Sequence, residues 1–298
     1  MGYGIVVSSL VITGVLTCKE MRTLTSYWFI VSLACCVIEI CALWWILYAL
    51  QLVYAELQPS YNANYIGVYI YGSIWYAYLA HLSCMAVNRF VAVVFPLHFD
   101  RLFSRSRTPK IIVCCYVIGF LACIPDLFDC CRALMDKDYY SLYYENVGNW
   151  FFYVDVSISM SVTLIMVTCY SCVTYKIWQN VREIVAYNRE ATTRTFSTRP
   201  QQQKQFSKKE YRIFVQFLLI SLMCLISTLA LYTWDGGTFD AKWFSLTLQT
   251  SVFVDITSSQ TFCIMFNPTM RRKLIDLFCF KPIQKLIGTT STSGSGIL

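Results

Sequence analysis

Hydrophobic residues along this chain gather into long runs rather than into the short alternating blocks of a soluble domain. Runs of roughly bilayer-spanning length cover about 2–17, 26–53, 65–94, 111–124, 150–177, 213–232 and 243–266, each bounded by polar or charged residues. The pattern predicts an all-α membrane protein, a seven-transmembrane helix bundle occupying residues 1–288. After Pro268, Met270, Leu274, Leu277 and Phe278 oppose Arg271, Arg272, Lys273 and Asp276, which predicts a short interfacial helix at about 269–286. Residues 289–298 read as a disordered cytoplasmic tail. The third run organises the rest. Between Tyr65 and Val94 its one formal charge is Arg89, and at about 1.5 Å per residue it reaches roughly 45 Å, so it tilts or protrudes. The first run reaches only about 24 Å. A truncated start fits it as well as a truly short helix does.

Charge sets the orientation. Of the 24 Lys and Arg residues, 20 lie in the first, third and fifth connections and the C-terminal region, whereas the opposite loops hold only Arg132, Lys137 and Lys242. Basic residues near span ends stay cytoplasmic, so the N-terminus is expected outside and the C-terminus inside. The net charge of +7 then belongs to the cytoplasmic face, where it meets anionic lipid and a protein partner rather than nucleic acid. With 57% hydrophobic and 14% charged residues, a soluble enzyme is excluded. Most of the 15 cysteines sit inside spans and act as small apolar side chains; Cys130 and Cys131, in an outer loop, are expected as free thiols. Cys279 is a lipidation candidate at the end of the interfacial helix.

Polar groups inside the spans carry the candidate chemistry. Glu39 lies near the middle of the second, where it is expected to face the interior as an ion, proton or ligand site, or as a protonated glutamate bonded across helices. His81 reads as a hydrogen-bonded core residue, and Asp255 sits at mid-depth in the seventh span. Asp155 stands within two turns of the outer surface, placed to pair with a cationic ligand or to snorkel to the rim. Tyr71, Gly72, Trp75 and Tyr78 or Leu79 recur at helical spacing on one face of the third span, lining either a pocket or a packing surface. The outer loop 125–149 is acidic and tyrosine-rich, which suits a lid. A small, largely neutral molecule is therefore expected among Tyr71, Trp75, Asp155, Trp234 and Gln249. On the inner side, Lys208, Lys209 and Arg212 make a basic extension of the sixth span, a surface for a partner.

Asn88-Arg89-Phe90 ending the third span, Pro96 in the next loop, MRTLTSYWFIVSLA opening the second span and FNPTMRRKL after the seventh resemble the rhodopsin-like G-protein-coupled receptors. Within them, MAVNRFVAVVFPLHFDRLFS and KKEYRIFVQ are similar to the nematode chemosensory receptors of the class X serpentine type. The resemblance implies a receptor with no cofactor that takes a small-molecule ligand and couples through Asn88, Arg89, Phe90 and the basic extension to a heterotrimeric G protein. It also implies a multi-pass protein of the plasma membrane, the ciliary membrane of sensory neurons in a chemosensory cell, with a receptor dimer allowed. Among the departures of this chain from the family are two at the ends of the third span. Asn88 replaces the usual acid before the arginine, and no cysteine stands near Asn64 to tie the third span to the second outer loop. Seven-helix hydrolases need several histidines and this chain has 2, while a retinal protein needs a lysine in the last span and there is none. The alternative reading is a seven-helix ligand-gated channel or transporter, or a non-signalling truncated receptor.

Overall fold

The computed structural model describes residues 1–46, 61–136, 141–145, 150–191, 215, 219–220, 222–223, 225–226 and 241–277. Helix α1 runs Gly2–Thr17, α2 Lys19–Thr23, α3 Thr25–Trp44, α4 Tyr61–Val94, α5 Pro96–Leu102 and α6 Thr108–Ala122. A 3-10 turn at Ile124–Leu127 leads to a two-stranded hairpin, β1 Ala133–Asp136 and β2 Ser141–Tyr144, antiparallel with Ala133 opposite Tyr144. Then come α7 Trp150–Ala191, α8 Ala241–Phe266 and α9 Pro268–Ile275. Thus α1, α3, α4, α6, α7 and α8 carry the first, second, third, fourth, fifth and seventh predicted spans. The described residues between 215 and 226, where the sixth was expected, are helical, and Ile220 among them is buried.

Three helical stretches, Thr25–Trp44, Asn64–Val94 and Trp150–Glu183, are each long and apolar enough to cross a bilayer, while α1 and α6 are shorter apolar helices. Large apolar side chains also point outward, with Val113, Leu121 and Leu164 about 60% exposed or more (61%, 58% and 67%). Such an apolar exterior fits lipid and not water. The observed α4 starts earlier than expected, and α7 continues past 177 to Ala191. The continuation WQNVREIVAYNREA contains neither Gly nor Pro and is rich in good helix formers, so nothing in the sequence stops it.

Lipid tails remove the hydrophobic drive between helices, which leaves close packing and hydrogen bonds to hold the bundle. Gly119 shows how close. A Cβ there would stand 2.3 Å from the Ser73 carbonyl oxygen and 2.7 Å from the Ala77 nitrogen, so α6 rests directly on the backbone of α4. The buried residues of α6, Thr108, Cys115 and Gly119, lie on one narrow stripe of the helix, from which Cys115 Sγ also meets Cys84 Sγ of α4 at 3.6 Å. Gly4 brings α1 against side chains, with a Cβ there 2.6 Å from Thr257 Cγ2 on α8 and 2.9 Å from Cys41 Sγ on α3.

At the Arg89 end of α4, Phe29, Val91 and Phe103 form a separate apolar cluster that docks α5 against α3 and α4. The amphipathic reading of α9 also holds. Met270 and Leu274, one turn apart, are buried against Gly14 of α1, while Arg271, Arg272 and Lys273 are exposed.

Candidate functional site

Two polar clusters lie toward opposite ends of α4. The outer one begins with helix termination. Pro125 has no backbone N–H to continue α6, and it opens the 3-10 turn in which the Asp126 N–H returns to the Cys123 carbonyl at 3.0 Å. The turn carries Asp126 inward until it is buried beside Gly72, where a Cβ would sit 2.9 Å from Cys123 Sγ and 3.7 Å from Asp126 Oδ2. From α7, Asp155 Oδ1 accepts a hydrogen bond from the Tyr76 hydroxyl at 2.8 Å. The Asp155 charge reaches Tyr71, Cys123 and Asp126 as well. Burial pushes the Asp126 carboxyl up to about 7; a hydrogen bond from Cys123 partly offsets this, and the Asp155 charge adds to it.

Of the residues of the expected pocket, Tyr71 and Trp75 each pack on an aromatic neighbour. Tyr71 is buried edge-on against Trp44, at 5.4 Å between ring centres, and Trp44 packs in turn on Phe253 of α8. Trp75 is half-buried and stacks on Tyr78. Tyr71 and Asp155 do share one electrostatic neighbourhood. Gln249 is half-buried one turn before Phe253, and Trp234 lies outside the described residues. Sequence reasoning missed Asp126 and the role of Tyr76. An acid directly after a helix-ending proline was the available signal for Asp126.

The hairpin sits over this end, with Leu134 and Met135 buried. Asn64 holds it by pairing both faces of its amide with one residue. Its Nδ2 donates to the Met135 carbonyl at 3.1 Å, and its Oδ1 accepts from the Met135 N–H at 3.2 Å. The Arg132 guanidinium lies 4.7 Å over the Tyr65 ring and is paired with Asp129. The position where the family resemblance expects a cysteine staple is therefore occupied by a non-covalent one. Cys130 and Cys131 are not joined in a disulfide, and their sulfurs lie against each other at 2.6 Å.

The inner cluster surrounds Arg89, whose charge is felt by the phenols of Tyr27 on α3 and Tyr170 on α7 and by Cys263 on α8. Asn88 turns away toward α3, where its Oδ1 accepts from the Ser26 hydroxyl at 2.9 Å. Phe90 packs into the cluster that docks α5 and meets Phe95 edge-on at 5.6 Å. Asn267 caps α9 by accepting from the Met270 N–H, and its Nδ2 donates to the Tyr27 hydroxyl at 2.7 Å. Lys208, Lys209, Arg212 and Cys279 lie outside the described residues.

Of the mid-depth polar groups, His81 is as expected. It is buried, with Nδ1 at 2.7 Å from the Ala77 carbonyl and Nε2 at 2.8 Å from Ser32 Oγ. A carbonyl only accepts, so Nδ1 carries the proton and Nε2 accepts from the serine. Glu39 requires a correction: it is exposed on the outer face of α3 rather than turned into the bundle. The buried stripe of α3 runs through Leu33, Cys36, Val37, Ile40, Cys41 and Trp44, and Glu39 falls in the gap of that helical repeat. Asp255 is buried, and its Oδ1 meets no hydrogen-bond partner among the described residues.

Comparison with known proteins places this arrangement. The family described as serpentine type 7TM GPCR chemoreceptor Srx matches residues 2–267. Squid rhodopsin superposes with a TM-score of 0.72 at 14% identity, covering 95% of this chain and 83% of that one, a likeness of fold. Octopamine receptor 1 of Lymnaea stagnalis is 26% identical over 133 residues, 40% of this chain and 19% of the relative. A probable G-protein coupled receptor, No9, of Amphibalanus amphitrite is 26% identical over 130 residues, 40% of this chain and 25% of the relative. The matches thus span a quarter or less of those two relatives' length.

Proposed function

Because the chain belongs to the Srx family of serpentine-type seven-transmembrane GPCR chemoreceptors, we propose that it binds a small extracellular ligand in the outer half of its bundle and activates a heterotrimeric G protein from its cytoplasmic end. The plasma membrane is the place for that activity. The observation that carries the reading is the single unbroken helix α4. It presents Tyr71 and Tyr76 to the outer carboxylates and Arg89 to the inner phenols of Tyr27 and Tyr170. A rigid element anchored in both clusters can bias one from the other.

The energetics of such coupling are bounded. A ligand shifts the bundle only by its difference in affinity for the two states, and about 1.4 kcal/mol of difference gives a tenfold shift. In the resting arrangement Arg89 is held among groups from α3, α7 and α8. A state that parts these helices releases the guanidinium toward the cytoplasm, where a G-protein partner with acidic or carbonyl groups is received.

The test is second-messenger signalling from surface-expressed, epitope-tagged chain challenged with small volatile and secreted compounds. A response that Arg89→Ala abolishes at equal surface level is expected. A current or uptake signal that survives the substitution points instead to a channel or transporter and overturns the proposal.

A further inference from the structure

Asp126 is 6% exposed, and its Oδ1 is shielded from solvent and meets no hydrogen-bond partner among the described residues. Its other oxygen lies 3.7 Å from the point where a Gly72 Cβ would stand, and the Asp155 charge acts on the carboxyl from α7. Among the described residues the charge that bears on Asp126 is that of Asp155, which is negative, and a buried carboxylate in that setting calls for a donor that also brings positive charge. A neutral hydroxyl supplies one donor and leaves the charge uncompensated. An ammonium supplies three donors and the charge together.

We propose that the outer site recognises an organic ammonium, a primary amine whose cationic head sits between Asp126 and Asp155 and whose apolar body lies along the aromatic side chains of α4. This deepens the ligand reading above and rests on its placing the ligand in the outer half of the bundle; it replaces the expectation of a largely neutral ligand. Tyr76 is the positioning residue: its hydroxyl occupies Asp155 Oδ1 and orients that carboxylate. Trp75, half-buried with one ring face stacked on Tyr78, is a side chain of the kind that attracts organic cations. A metal ion is disfavoured by the donor set. Among the described residues no three His, Cys, Asp or Glu side chains converge to hold one, and hard cations need six or more oxygens. The carboxylates come from the turn after α6 and from α7, not from α4.

The pair also sets a pH dependence. The titratable groups facing Asp126 are Asp155 on α7 and Cys123 at the end of α6, with Cys131 of the following loop within reach of its charge. With its carboxyl near 7, Asp126 is largely protonated at pH 6 and ionised at pH 8. An ammonium binds the ionised form, so amine affinity rises with pH across that window, by about tenfold for one linked proton.

The experiment uses the full chain purified in detergent. Thermal unfolding is followed at pH 6 and pH 8 with 2-phenylethylamine, hexylamine and 1,5-diaminopentane, each against the alcohol of the same skeleton. The expected result is saturable stabilisation by an amine and not by its alcohol, tighter at pH 8. Asp126→Asn weakens it about tenfold to a hundredfold, and Asp126→Glu retains the amine preference. Equal stabilisation by amine and alcohol, no stabilisation by any amine, or amine binding of wild type that ignores pH overturns the proposal. The pH comparison on wild type decides the matter even where Asp126→Asn does not fold. Amine binding without G-protein signalling would sink the receptor reading alone, whereas signalling by neutral compounds with no amine binding would sink the ammonium site alone.

Discussion

Asn64 and Asp126 show what single polar side chains decide in this protein. Asn64 satisfies both backbone groups of Met135, and two hydrogen bonds of this kind contribute on the order of 1–3 kcal/mol to holding the hairpin over the outer site. Asn64→Ala is therefore expected to lower agonist potency by about tenfold with little change in maximal response, measured as a dose–response curve at matched surface expression. Because the tether is not covalent, dithiothreitol should leave the wild-type curve unmoved; a rightward shift on reduction would show that a disulfide, and not Asn64, holds the hairpin. At the inner end Tyr27 accepts from Asn267 and lies beside Arg89. Removing that acceptor with Tyr27→Phe takes away about 0.5–1.5 kcal/mol of restraint, which corresponds to roughly a two- to tenfold rise in ligand-independent signalling. Unchanged basal output would mean that the contact does not separate the two states.

Between elements, contact distance matters more than apolar area, because lipid solvates apolar side chains as well as protein does. The α4–α6 seam is the clearest case. Gly119→Ala drives a methyl into backbone atoms that cannot rotate away, and is expected to cost about 1–3 kcal/mol or to push α6 off α4. Gly2→Ala has no heavy atom within 4 Å of the added Cβ and serves as the neutral comparison. Thermal unfolding of the two variants in one detergent separates them; similar midpoints would show that α6 is held elsewhere. The same seam explains how a helix as exposed as α6 stays in the bundle.

For the whole molecule, the carboxyl of Asp126 ties stability to pH. Its folded-state value is raised from the ordinary carboxylate range to about 7, chiefly by burial. Protonation therefore favours the folded chain: the contribution is fully present below the ordinary carboxylate range and is lost as pH rises through about 7. Without ligand, wild type is expected to melt at progressively lower temperature from about pH 5 to pH 8, and Asp126→Asn to flatten that slope. Parallel slopes in the two proteins would show that other carboxyls set the dependence. Ligand binding and folding thus pull the same proton in opposite directions, a tension expected where a site is kept short of a partner until its ligand arrives.

The helical runs that became α1, α3, α4, α6, α7 and α8, the stripe of α9, the hydrogen-bonded state of His81 and the family were legible in the sequence. Each rests on local periodicity or on contiguous residues: Met270 and Leu274 against Arg271 to Lys273, or Asn88-Arg89-Phe90 before Pro96. What the sequence could not determine was which groups meet across helices. Glu39 turned outward because its angle about α3 relative to neighbours is a tertiary quantity. Tyr76, and not Tyr71 or Trp75, met Asp155 because a stripe of aromatics does not specify which member faces which helix. Asp126 joined the outer polar cluster because the turn at Pro125 set it beside Gly72, and Asn64 became a staple because β1 passed within reach. Hydropathy records how each residue partitions between water and lipid, a property of the residue and its near neighbours. Partnership depends on the rotation and depth of separate helices, and these were settled by close contacts such as Gly119 on Ser73 and Gly4 on Thr257.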